Sequence, residues 1–88
     1  MKLKYEFSIR EIMGDYVIVP LGEAALKISG MLTTNDVGAF IWKQLQNDIT
    51  EEELLGMLVN EFAVEYEEGK KDLEEFLNHA RKLNVLIE

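Results

Sequence analysis

The chain has 88 residues, 48% hydrophobic and 30% charged, a balance that supports one globular domain over residues 1–88 and a chain that folds rather than stays disordered. Without cysteine it can form no disulfide, thiolate metal site or cysteine nucleophile, and no apolar run reaches the roughly 18 residues a membrane span needs. Its formal charge of −8 is carried by residues 46–88, with four basic and twelve acidic side chains against five of each in residues 1–45, a field that repels nucleic acid and anionic membrane and favours a neutral or basic partner.

In chain order, Leu3, Tyr5, Phe7 and Ile9 alternate with polar residues, which predicts a half-buried strand. Gly14-Asp15 punctuates the chain, and the β-branched run Tyr16-Val17-Ile18-Val19 predicts a second strand paired with the first as a hairpin. Pro20 and Gly22 mark a turn. Ala24, Leu26 and Ile28 then alternate with Ala25 and Lys27, which predicts a short third strand of an antiparallel meander over residues 1–29.

The period then becomes helical. Thr33 and Asp36 have the spacing of a helix start, with Thr34 as the alternative cap, and Val37, Phe40, Ile41 and Leu45 form one stripe with Trp42 at its flank. Thr50-Glu51-Glu52-Glu53 is a capping box, with Ile49 placed to staple onto Leu54, and Leu54, Leu55, Leu58 and Phe62 form the apolar face of a second helix. The longest helix is expected over residues 67–83, striped by Leu73, Phe76, Leu77, Ala80 and Leu83. Lys70–Glu74 and Lys71–Glu75 stand at i, i+4 on its other faces. Asn84 suits a left-handed C-cap, and Val85-Leu86-Ile87 is expected to pack back as a tail. Strands ahead of helices predict an α+β domain, a three-stranded antiparallel sheet followed by three helices.

Little in this pattern supports catalysis, and so small a domain has no room for a large enclosed active site. The one histidine, His79, lies about 100° from the centre of its helix's stripe and has no second ligand at metal spacing, so it reads as a partly exposed structural residue. Ser8 and Ser29 lack a nucleophile-elbow context. Glu51-Glu52-Glu53 and Glu65, Glu67 and Glu68 complement helix dipoles, and the glycines form no phosphate loop. No metal, cofactor or catalytic residue is expected, and with no signal-peptide pattern the expected location is cytoplasmic.

Binding remains. A short third strand guarded only by Lys27 offers its edge to an extended peptide, through the backbone of Ala24, Ala25, Leu26, Lys27 and Ile28. Leu73, Phe76, Leu77 and Ala80 of the long helix are the candidates for a pocket beside that edge, with Leu73 and Leu77 better read as core.

The run Tyr16-Val17-Ile18-Val19-Pro20-Leu21-Gly22, then Ala24 to Ile28, then Asn35-Asp36-Val37-Gly38-Ala39-Phe40-Ile41-Trp42, resembles the coenzyme PQQ synthesis protein D (PqqD) family. Thr50-Glu51-Glu52-Glu53-Leu54, Asp72-Leu73-Glu74-Glu75-Phe76-Leu77 and Leu83-Asn84-Val85-Leu86 continue the resemblance over nearly the whole chain. It implies a winged helix-turn-helix-like domain that serves as a recognition element for a ribosomally made precursor peptide. Such a domain binds the leader beside the third strand, in a groove walled by the third helix, and presents it to a modifying enzyme, often a radical SAM protein. Ile18-Val19-Pro20 and Gln46-Asn47-Asp48 stand where PQQ-pathway members usually carry a leucine-tyrosine-proline turn and a cysteine-aspartate-glycine stretch, which points to a product other than PQQ.

Two other uses of the same architecture compete. A winged-helix DNA binder would present lysine and arginine from its third helix, but residues 65–82 hold six acidic side chains against four basic ones. A small homo-oligomeric adaptor, such as a homodimer, would pair through the same sheet edge.

Overall fold

The computed structural model describes all 88 residues. Its elements are β1 (Lys2–Leu3), β2 (Phe7–Ile12), β3 (Asp15–Pro20), α1 (Glu23–Lys27), β4 (Leu32–Thr34), α2 (Asp36–Gln44), α3 (Glu51–Phe62), α4 (Tyr66–Lys82) and β5 (Leu86–Ile87). The fold is α+β, with an antiparallel sheet in the order β2-β3-β4 covered on one face by helices.

The first predicted strand divides in two. β1 pairs with β5, setting Leu3 opposite Leu86, while Phe7 to Ile12 pair with Asp15 to Pro20. The hairpin turn is Met13-Gly14 rather than Gly14-Asp15. Both turn residues have positive φ (52° and 85°), the backbone of a two-residue type I′ loop, and Asp15 already belongs to the strand. Ile9, Ile18 and Leu32 stand abreast across the sheet on the face turned toward the helices.

The largest correction concerns the third strand. Residues 23–27 form a single helical turn, closed by the Ile28 N–H donating to the Ala24 carbonyl at 2.8 Å. Alanine, leucine and lysine are strong helix formers, and Ala24 and Ile28 are apolar at period 4 as well as at period 2. Burial decides between the two readings: Ala24 is 0% exposed, whereas Leu26 is 85% exposed. The third strand follows Gly30, which has φ 78°, and is built on the β-branched Thr33 and Thr34.

Because both threonines serve β4, neither caps the next helix. Asn35 does so instead, its Oδ1 accepting from the Gly38 N–H at 2.9 Å. The Thr50 box forms as expected, with the Thr50 hydroxyl accepting from the Glu53 N–H and the Glu53 carboxylate from the Thr50 N–H. α4 lies within a residue of its predicted bounds, and Asn84 adopts φ 58° beyond its end. Ile18, Ile41, Leu45, Leu54, Leu58, Leu73, Leu77 and Val85 are fully buried and join the sheet to all three long helices. Trp42, expected at a flank, is 3% exposed and inside this core. The Lys70–Glu74 and Lys71–Glu75 spacings do not close into ion pairs; the pairs present are the Met1 ammonium with Asp48 and Arg81 with Glu88. An exposed pair gains too little to hold two long side chains in place. No helix is long and apolar enough to cross a membrane.

Candidate functional site

The hydrogen-bond phase of the sheet determines which backbone groups are free. Just beyond the Phe7–Pro20 pair, the Leu21 N–H donates to the Glu6 carbonyl at 3.0 Å. Bonded and non-bonded pairs alternate along an antiparallel ladder, so Ser8–Val19, Arg10–Val17 and Ile12–Asp15 are the bonded pairs of the hairpin. Tyr16 and Ile18 therefore turn their backbone groups the other way, toward Thr34 and Leu32. The same alternation turns the N–H and C=O of Thr33 outward, on the β4 edge, one of the sheet's two open edges.

That edge borders a groove of about 510 Å³. Leu32, Thr33, Thr34 and Asn35 form one wall, α4 forms the other through Asp72, Glu75, Phe76, His79 and Ala80, and Ile18, Ile41 and Trp42 lie at its base. Local sequence explains the close approach of these walls. A Cβ at position 38 would collide with the Thr34 hydroxyl and lie 3.2 Å from the Phe76 ring, so glycine lets α2 begin this close to β4 and α4 without displacing either side chain. Trp42 sits edge-on to Phe7 (centroids 4.9 Å apart) and to Phe76 (5.9 Å), and Trp42 and the half-buried Phe76 are the rings of this stack that line the groove, Phe76 the more exposed of the two. The buried Trp42 indole N–H has no hydrogen-bond acceptor, an arrangement that costs about 1–3 kcal/mol and is uncommon in a folded core.

Of the residues singled out from sequence, Phe76 and Ala80 line the groove, while Leu73 and Leu77 are core. Ala24, Ala25, Leu26, Lys27 and Ile28 line none of it, being on α1 and just beyond it. His79 is exposed on the groove's α4 wall. Leu32, Thr33, Thr34, Gly38 and Trp42 also line the groove, and the sequence pattern singles out none of them as a binding residue. The paired threonines after Gly30 were the available signal, hidden because they also fit a helix cap. The groove's chemistry is that of apolar contact with a hydroxyl and carboxylate margin: no polar or charged side chain is buried, and no three histidine, aspartate or glutamate side chains converge at metal-binding distance.

The family model of coenzyme PQQ synthesis protein D (PqqD) matches residues 15–86, from the start of β3 to β5. The chain belongs to that family. Its fold is similar to that of the solved structure described as TbiB1 in complex with the TbiA(beta) leader peptide, with a TM-score of 0.71 and 22% sequence identity. The match covers 98% of this chain and 94% of that one. No curated protein sequence matches the chain.

Proposed function

We propose that this chain is a single-domain recognition adaptor that binds the leader of a ribosomally made precursor peptide as an added strand on β4 and presents it to a modifying enzyme of the radical SAM class. The observation that carries the reading is the outward-facing backbone of Thr33 beside an apolar groove. Main-chain bonds to an open edge supply affinity, and a pocket for alternate side chains supplies selectivity. A protein of similar fold has been solved with a leader peptide bound, and membership of the PqqD family agrees with the same role. Placing the leader at β4 rather than at residues 24–28 keeps the third-strand position that family resemblance implies.

The adaptor is read as non-catalytic and cytoplasmic. No ionisable side chain is fully buried in the groove. The exposed unpaired edge could equally pair with a second copy; such a dimer would compete with leader binding and would show as a concentration-dependent mass in light scattering.

Calorimetry with the leader of the precursor encoded beside this gene tests the proposal. Binding is expected near the micromolar range, about −8 kcal/mol, and Thr33→Pro should weaken it on the order of a hundredfold because proline deletes the outward N–H and fills its place with a ring. The substitution leaves the β3–β4 ladder bonds intact, since Thr33 does not contribute to them. A leader that binds Thr33→Pro as well as the parent protein would rule out strand addition at this edge.

A further inference from the structure

The two walls of the groove differ in charge. The β4 side presents Thr33, Thr34 and Asn35, all neutral, whereas α4 presents Asp72, Glu75 and His79, the only titratable side chains that line the groove. No lysine or arginine lines it, and neither Asp72 nor Glu75 takes part in either ion pair of the protein. Asp72 is half-buried and Glu75 exposed, so a partner's cation can reach both without the heavy desolvation that burial would impose.

We infer that the leader this groove selects carries a lysine or arginine two residues from a large apolar anchor. The inference rests on the leader-binding reading above and specifies the class of peptide. In a strand laid along β4, side chains at i and i+2 share a face and stand about 6.6 Å apart. On α4, Asp72 and Phe76 are four residues apart, about 6 Å along the helix axis. With the peptide running along the groove, an anchor seated against Phe76 and Trp42 brings the next side chain on its face within reach of Asp72, and Glu75, three residues on from Asp72, flanks the same position. The anchor drives association by burying apolar surface, while the margin charges discriminate among peptides with similar anchors and accelerate encounter at low salt.

The probe is a set of peptides selected from a random dodecapeptide library on the full chain at low salt, titrated by the fluorescence of Trp42, the only tryptophan. Selected peptides should be enriched in lysine or arginine two residues from a large apolar side chain. Replacing that base with glutamine should weaken binding about fivefold, as two partly exposed ion pairs allow. Asp72→Asn/Glu75→Gln should weaken the parent peptides about fivefold, leave the glutamine peptides unaffected and flatten the salt dependence. Glu75→Lys should regain affinity for peptides whose base is changed to glutamate. Peptides that lose affinity for Thr33→Pro but bind the Asp72→Asn/Glu75→Gln protein as tightly as the parent would overturn the charge inference and leave the leader reading standing. Peptides indifferent to Thr33→Pro would remove the leader reading, and this inference with it.

Discussion

Two concavities of this protein each measure about 510 Å³, and they use the backbone around them in opposite ways. The second lies around β1, lined by residues 2–7 with Leu21, Gln46 and Ile87. There the main chain is already engaged: Leu3 donates to Leu45, Lys4 to Val85 and Leu21 to Glu6, while Ile49 donates to Met1, all between 2.7 and 3.0 Å. The groove at β4 instead leaves Thr33 unpaired beside an apolar floor. Volume does not separate the two concavities. What the backbone does beside each floor differs: Thr33 turns its N–H and C=O to the β4 groove, whereas around β1 the Leu3, Lys4 and Leu21 N–H groups are used within the chain, although Phe7, on the outer edge of β2, also turns its backbone outward.

The largest expected effect tests whether the groove wall can be separated from the core behind it. Leu77→Ala should cost about 2–5 kcal/mol of stability, read by denaturant unfolding, because it leaves a cavity among fully buried neighbours. Phe76→Ala, one residue earlier on α4, should lose less stability and more leader affinity, because that ring is half-buried at the groove. Equal losses of stability would mean that α4 has no distinct binding face.

A pair of proline substitutions contrasts the two concavities directly. Thr33→Pro should weaken leader binding on the order of a hundredfold with little change in melting temperature. Lys4→Pro deletes the N–H donated to Val85 and should cost about 1–3 kcal/mol, with affinity retained by the protein that remains folded. If Lys4→Pro is silent in melting, the backbone around β1 is not the tie described above.

The smallest effect lies at the end of β5. Hydrogen bonds from the Arg81 guanidinium hold the Glu88 carboxyl below its ordinary range. A depressed carboxyl contributes stability that is present above its ordinary pKa and is lost as pH falls through the lowered value. Glu88→Gln should flatten that acid-side slope slightly in pH-dependent melting and leave leader affinity unchanged. The pair is exposed, so a large change would contradict its surface position.

The helices were legible in the sequence because their signals are local. The Thr50 capping box, the Asn84 C-cap and the stripes of α3 and α4 depend on residues within one or two turns of each other. Trp42 was underestimated because its burial comes from Phe7 and Phe76, which are remote in sequence. Residues 24–28 read as a strand in the sequence because Ala24, Leu26 and Ile28 alternate, while Ala24 and Ile28 alone equally fit one helical turn.

Composition, period and caps act over short distances, and they suffice to specify an acidic α+β domain with a strand-rich start and a helical remainder. Which strand edge borders the groove, which side chains of α4 face it, and how Gly38 lets the two walls approach follow from the packing of the whole chain. Those features depend on the pairing of β3 with β4 and on the packing of α2 against both. Such long-range contacts, rather than the local pattern, determine which backbone groups are left for another chain.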